Sequence, residues 1–179
     1  MEKKAIRQDI RNKRKCMSEN MHMAFSESIF RRITVLEEYQ NAKVIYCYID
    51  VNHEAGTRNI IEHSLKIGKE VAVPRVEGNV MNFFRIHSLE ETAEGNFGIP
   101  EPVHNEIPST PDIILVPGVA FSFRMERMGY GGGYYDKFLS AGKALKIGLA
   151  YEFQMHEQIP VEKHDISMDI IVTEKQIYR

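Results

Sequence analysis

The sequence predicts an α/β protein built on a mainly parallel sheet with helices on both faces. Three observations carry this. Short apolar runs rich in β-branched residues recur along the chain, among them "KVIYCYI", "DIILVPG" and "MDIIVTE". Such unbroken runs read as strands buried on both faces, not as the alternating pattern of half-exposed ones. Between them lie stretches with apolar residues three and four apart, the spacing of amphipathic helices. The two kinds alternate, which is the order expected of a parallel sheet with crossover helices.

The elements follow in order. "KKAIRQDIRNKRKCM" sets Ile6 and Ile10 four apart and Lys4, Arg7, Arg11 and Arg14 along another stripe, giving a helix with a narrow apolar seam and a basic face. Ser18 is placed to cap a second helix, with His22, Phe25, Ile29, Ile33 and Leu36 on its apolar side. Lys43–Ile49 is a buried strand. Thr57 caps a helix through Ile60, Ile61 and Leu65 that Gly68 ends. "EVAVP" and "NVMNFFRI" are strands joined through Glu77–Gly78–Asn79. Asp112–Gly118 is the clearest buried strand, "YYDKFLSAG" opens a helix that Gly142 closes, and "LKIGLAY" and "MDIIVTE" are the last strands. The proline-rich "GIPEPVHNEIPSTP" reads as a surface loop. The expected architecture is a three-layer αβα sandwich, Rossmann-like, forming a single domain over residues 1–179 with the basic helix at 1–17 as part of it.

Composition narrows the function. The chain has 179 residues, 43% hydrophobic and 27% charged, an ordinary globular balance able to bury a core. A net charge of -2 gives no global field toward nucleic acid or an acidic membrane. Cys16 and Cys47 lie in different segments without a CxxC pattern, which fits two buried thiols in a reducing compartment and no disulfide framework or zinc site. The N-terminus lacks the apolar stretch of a signal peptide, and no run of about 18 apolar residues occurs. The expected setting is the cytoplasm, with no membrane or nucleic-acid partner and a monomeric state. His53, His156 and His164 do not form a chelating pattern and are read as surface or hydrogen-bonded residues.

The stretch "RMERMGYGGGYYDKF" carries the chemistry. Gly129, Gly131, Gly132 and Gly133 surround Tyr130 and run into Tyr134, Tyr135 and Asp136. It follows a buried strand and opens a helix, the place where open α/β sheets hold ligands. Bare backbone N–H groups there favour an anion, so a phosphate is the expected guest. Arg127 adds a bidentate donor, Asp136 a hard oxygen ligand for Mg²⁺, and the tyrosines faces for a planar ring. The motif is neither GxGxxG nor a P-loop, since no Gly-Lys-Ser/Thr occurs. A tight loop that merely needs glycine is the structural alternative.

"RMGYGGGYYDKFL" resembles the signature of the 5-formyltetrahydrofolate cyclo-ligase (methenyltetrahydrofolate synthetase) family. The resemblance extends in order through "KKAIRQDIRNKRK", "GKEVAVPRVEGNVMNFFRI", "GNFGIPEP", "DIILVPGVAFS", "KIGLAYEFQ" and "HDISMDIIVTE", nearly the whole chain. It implies a ligase that uses MgATP to convert 5-formyltetrahydrofolate to 5,10-methenyltetrahydrofolate, releasing ADP and phosphate. It also implies roles by position. Lys3, Lys4, Ala5, Ile6 and Arg7 match the nucleotide-binding segment of the N-terminal helix. Arg127, Met128, Gly129, Tyr130, Gly131, Gly132, Gly133, Tyr134 and Tyr135 match the ATP loop, with Tyr130 to Tyr134 also bordering the folate. Arg127, Tyr134 and Asp136 match catalytic positions, and Asp136 and Asp169 the metal carboxylates. Val51, Glu54 and Gly56 match folate-contacting positions. Arg11 and Arg14 are read as structural.

The chain departs from the family pattern at Gly56, Ser122, Met125 and Met128, the last a volume-conserving replacement of leucine. Gly56 stands where an acidic residue is usual, and Ser122 and Met125 replace an aspartate and a glycine ahead of the glycine loop. A binding protein of this fold without turnover, and a nucleic-acid module built on the basic helix, are the rival functions. Intact Arg127 and Asp136 argue against the first and the net charge against the second.

Overall fold

The structure, a computed structural model, describes residues 2–95, 98–162 and 165–179. Helix α1 (Lys3–Lys15) is followed by α2 (Glu19–Thr34), a single turn α3 (Glu37–Asn41), strand β1 (Val44–Cys47) and α4 (Arg58–Lys66). Then come β2 (Glu70–Glu77), β3 (Val80–Ile86), β4 (Thr92–Glu94), β5 (Pro100–Pro102), β6 (Ile113–Val116), β7 (Ala120–Ser122) and β8 (Arg127–Met128). Helix α5 (Tyr134–Leu139) leads into β9 (Leu145–Leu149), β10 (Met155–His156), β11 (Ile170–Val172) and β12 (Ile177–Tyr178).

The main sheet has the order β12-β11-β9-β6-β1-β2-β3. Its five inner strands, β11 through β2, pair in parallel, and the edge strands β3 and β12 pair antiparallel. The expected α/β class with a mainly parallel sheet is therefore the observed one. The chain runs from β1 through α4 to β2 on one side, whereas β6 lies on the other. The gap between β1 and β6 is the switch point beside which such sheets bind ligands.

Both faces of the inner strands are buried, which is why they read as unbroken apolar runs. Ile45, Cys47, Ile113 and Leu115 face Ile29 and Ile33 of α2 and Ile60 and Ile61 of α4. Their neighbours Tyr46, Ile114 and Val116 face Leu139 of α5 and Phe83 of β3. Each fully buried side chain of this size contributes roughly 1.5–3 kcal/mol. The seam of α1 is likewise buried: Ile6 and Ile10 pack on Val119, Met128 and Ile159.

Several expectations need correction. Helix α2 stops at Thr34, so Leu36 precedes α3 instead of continuing the α2 face. Ser18 caps α2 as expected, its hydroxyl accepting from the Met21 N–H at 3.2 Å. Thr57 occupies the cap position of α4 but gives its hydroxyl to the Tyr48 carbonyl. The proline-rich segment is not all loop: Pro100–Pro102 pairs with Thr92–Glu94, as an edge strand tolerates proline. Cys47 is buried, but Cys16 is exposed at the end of α1. The imidazole of His156 has a buried, unpartnered Nε2, whereas His53 is hydrogen-bonded as expected; His164 lies outside the described residues.

Candidate active site

A cleft of about 860 Å³ opens over the carboxyl ends of β1 and β6. Strand β2 runs on past the end of β1 and walls one side with Pro74 and Val76; α1 closes the other with Lys3, Arg7, Arg11 and Arg14. The glycine loop between β8 and α5 forms the rim between them.

Two features shape that loop. Gly131 and Gly133 take φ of +110° and +67°, conformations that side chains resist, so the loop can turn sharply into α5. Helix α1 then lies against it. The Nε of Arg7 donates to the Gly129 carbonyl at 3.1 Å, and its guanidinium sits 3.7 Å from where a Gly131 side chain would begin. Lys3, one turn earlier, bonds the carboxylates of Glu162 at 2.7 Å and Asp165 at 3.4 Å. The Glu162 hydrogen bond holds its ammonium above the usual lysine range.

Arg127 and Asp136 form a buried pair across the base of the loop. Arg127 Nη2 lies 2.7 Å from Asp136 Oδ1, and Nη1 donates to the Pro117 carbonyl at 3.2 Å. Arg127 is only 3% exposed, and its Nε has no partner. Asp136 Oδ1 also accepts from the Ile166 N–H at 3.2 Å. The guanidinium lies 5.8 Å from the centre of the Tyr135 ring, whose hydroxyl is buried without a partner. Tyr134 packs its ring toward α5's neighbours, against Gly132.

Tyr130 crosses the cleft. Its ring is half exposed, but its hydroxyl accepts from Arg14 Nη1 at 2.5 Å and donates to Glu54 Oε1. Glu54 is 7% exposed; its second oxygen accepts from the Val51 N–H at 3.1 Å, and its carbonyl from the Tyr151 hydroxyl at 2.8 Å. Burial pushes the Glu54 carboxyl above the usual range, against the opposing pull of the Tyr130 hydrogen bond and the Arg14 charge. Burial and the nearby Glu54 charge push the Tyr130 phenol up as well.

The structure thus gathers Lys3, Arg7, Val51, Glu54, Arg127, Met128, the 129–133 loop, Tyr134, Tyr135 and Asp136 around one cleft. Five other expected residues stand apart. Lys4 and Ala5 are exposed outside the cleft lining, and Ile6 is buried in the α1 seam. Gly56 faces α2: its N–H donates to Ser26 Oγ at 3.0 Å, and a Cβ there would lie 2.7 Å from that oxygen. Ser26 occupies the space that an acidic side chain would need. Asp169 sits at the amino ends of β9 and β11, away from the cleft, with its carboxylate on the Lys146 ammonium at 2.8 Å and the Lys146 N–H at 2.7 Å. It does not pair with Asp136.

Sequence reasoning missed two side chains that build the site. Arg14 is not a bystander on a solvated face: it is 7% exposed and bonds Tyr130 and the Gly118 carbonyl. Gln154, fully buried, donates to the Gly118 and Val119 carbonyls at 2.9 Å each and fixes the turn after β6. The replacements ahead of the glycine loop have local explanations. Ser122 bonds Glu126 Oε2 at 2.7 Å and accepts from the Arg124 and Glu126 N–H groups. Met125 takes the left-handed conformation, φ +66°, at the position where glycine is usual.

The match to known proteins is extensive. Residues 1–174 match the 5-formyltetrahydrofolate cyclo-ligase family. The chain belongs to this family. A 5-formyltetrahydrofolate cyclo-ligase of Mus musculus is 30% identical, covering 96% of this chain and 93% of its own. That of Saccharomyces cerevisiae is 31% identical, covering 95% and 94%. The solved structure of a 5,10-methenyltetrahydrofolate synthetase from Aquifex aeolicus superposes with a TM-score of 0.90 at 38% identity, over 100% of this chain and 93% of that one. Family membership implies ATP as co-substrate.

The donors present suit Mg²⁺ only in one way. Among the described residues no three His, Cys, Asp or Glu side chains converge on a metal site. Asp136 offers its second carboxylate oxygen, with Oδ1 held by Arg127 and Ile166. Mg²⁺ is commonly held by one or two carboxylates together with substrate phosphates and water. The cleft fits that mode and not a preformed cage.

Proposed function

We propose that this chain catalyses the ATP-dependent cyclisation of 5-formyltetrahydrofolate to 5,10-methenyltetrahydrofolate, with release of ADP and phosphate. One observation supports it most: in a chain of this family, a single cleft joins the basic face of α1, the glycine loop and the Glu54 loop. A formamide oxygen is a poor leaving group. Its attack on the γ-phosphate expels ADP and turns it into a phosphate ester; the neighbouring folate nitrogen then bonds the formyl carbon, and the oxygen departs within inorganic phosphate. Such a transfer needs in-line positioning and positive charge more than a protein nucleophile.

The residues divide the work. Arg7, Lys3 and the N–H groups of the 129–133 loop hold the phosphates. Val51 and Glu54 hold the pterin end, with Tyr130 and Tyr134 between the two substrates. Arg127 keeps Asp136 in place, and Asp136 would offer a carboxylate oxygen to Mg²⁺ arriving with ATP, which would neutralise phosphate charge. Asp169 is not assigned a role. The unpaired cysteines support a cytoplasmic setting and the net charge of -2 argues against a nucleic-acid partner; the chain is read as a single-domain monomer acting on small molecules. Among the described residues, no helix is long and apolar enough to cross a membrane.

The deciding experiment mixes the protein with 5-formyltetrahydrofolate and MgATP and follows near-ultraviolet absorbance. A rise that requires both ATP and magnesium is expected. No rise while ATP still binds would make this a relative without that chemistry.

A further inference from the structure

Arg14 has no evident reason to be an arginine if only stability counts. It lies on the last turn of α1, buried, and its Nε has no partner. Burying a guanidinium carries a large desolvation penalty, and a well-packed apolar side chain of similar volume is often as stable or more so. What the guanidinium does is reach three parts of the cleft. Nη1 donates to Tyr130 of the glycine loop at 2.5 Å, Nη2 donates to Gly118 after β6 at 3.0 Å, and the Tyr130 hydroxyl passes the contact on to Glu54. The Arg14 carbonyl is itself held, 3.0 Å from Nδ1 of His53 in the Glu54 loop.

We propose that Arg14 is a positioning residue which, through the Tyr130 hydroxyl, holds the glycine-rich loop against Glu54 and so fixes the phosphate and folate sides of the cleft relative to each other. The geometry requires it to act through Tyr130, because among the described residues no other hydrogen bond links the loop's side chains to Glu54. The loop needs such a tether. Residues 131 and 132 are exposed, and Gly131 and Gly133 leave the backbone free to swing. Tyr130 is its one large side chain between Gly129 and Gly133, and its hydroxyl is oriented by a donor on one side and an acceptor on the other. Arg14 donates only, Glu54 accepts, and the phenol does both, so the chain of bonds has a single direction. The catalytic meaning of this tether rests on the ligase reading; its existence does not.

The test is a double-mutant cycle of Arg14→Met and Tyr130→Phe, read by amide hydrogen exchange of residues 129–134 in the unliganded protein. Arg14→Met is expected to speed loop exchange about tenfold when Tyr130 is intact and less than about twofold in the Tyr130→Phe background. Equal increments in the two backgrounds, or no increase, would overturn the proposal. If Arg14→Met does not fold, Arg14→Gln, which keeps a donor for Gly118, is run through the same cycle with the same criterion. In turnover, the single variant should raise KM for 5-formyltetrahydrofolate about tenfold while moving kcat less than about threefold, and Arg14→Lys should recover part of the loss. A purely structural arginine would instead lower the melting temperature and leave KM unchanged. Loop exchange is measured without substrate, so absence of ligase activity in the unsubstituted protein would refute the proposed reaction without touching the tether.

Discussion

Arg127 Nη2 lies 2.7 Å from Asp136 Oδ1, and this contact makes the two residues most readily assigned to phosphate and metal into partners of each other. Asp136→Asn therefore has two effects. The amide oxygen can still accept from Arg127, but the buried guanidinium loses its counter-charge. Outright breaking of a buried pair costs about 3–5 kcal/mol, so retaining the hydrogen bond should leave about 1–3 kcal/mol. For a chain of this size, each kcal/mol lowers the melting temperature by about 2–4 °C. Turnover should also need more magnesium. An unchanged melting temperature would mean that the pair does not hold the fold; an unchanged magnesium titration would remove Asp136 from the metal.

Gly56 makes a separate prediction about α2. A side chain there would begin 2.7 Å from Ser26 Oγ and 2.8 Å from Ser26 Cβ. Gly56→Asp, which restores the residue type usual in the family, should destabilise this protein by about 1–3 kcal/mol through overpacking. Ser26→Gly in the same chain should recover most of that loss. Denaturant midpoints of the two single variants and the double variant decide it: additive losses would show that Ser26 is not the obstacle.

Burial raises the Glu54 carboxyl pKa, which gives the stability a sign against pH. The folded state binds this proton more tightly than the unfolded chain does, so the contribution is full below the ordinary glutamate value and is lost as pH rises through the raised value. Glu54→Gln removes the titration and keeps an acceptor for Tyr130. Its melting temperature should exceed that of the unsubstituted protein at pH 7–8, with the gap closing toward about pH 4, near the ordinary glutamate pKa. A gap that widens on acidification would reverse the sign and place Glu54 as a stabilising ionised group. Folate binding should weaken at pH 7–8, where the acceptor has lost its charge, and the difference should shrink as pH falls through the raised value.

How much of this was legible depended on whether a signal was local. Val44–Cys47 and Ile113–Val116 could be read because burial on both faces leaves every position apolar. The glycine loop could be read because its residues are contiguous and follow the best strand. The small sheet of β10, β7 and β8 could not: strands of two or three residues are too short to show a period. Helix α3, a single turn, was hidden for the same reason. Arg14 looked like its neighbours Arg11 and Lys15, and only the packing of α1 on the turn after β6 buries one of the three. The place of Asp169 relative to the cleft was hidden by topology. Its position was read correctly as a strand start, but in a parallel sheet that is the end away from the cleft.

Arg7 gives the cleanest test of the phosphate side. It uses one N–H, on Nε, for the Gly129 carbonyl, and no other protein partner engages its guanidinium among the described residues. The remaining donors are free to meet a phosphate at the lip of the glycine loop, 3.7 Å from the place where a Gly131 side chain would begin. A charge-assisted hydrogen bond contributes about 1.5–3 kcal/mol, so Arg7→Ala should raise the ATP dissociation constant by about 10- to 150-fold. Stability should change by less than about 0.5 kcal/mol, because the side chain is only partly buried and holds a single backbone oxygen. Arg7→Lys should recover only part of the affinity, since an ammonium cannot reach Gly129 and a phosphate with the same planar fork. Calorimetric titration of ATP into the three proteins measures this directly. Equal affinity for Arg7→Ala and the unsubstituted protein would leave Arg7 as a brace for the loop and move phosphate recognition to Lys3 and the backbone of the glycine loop.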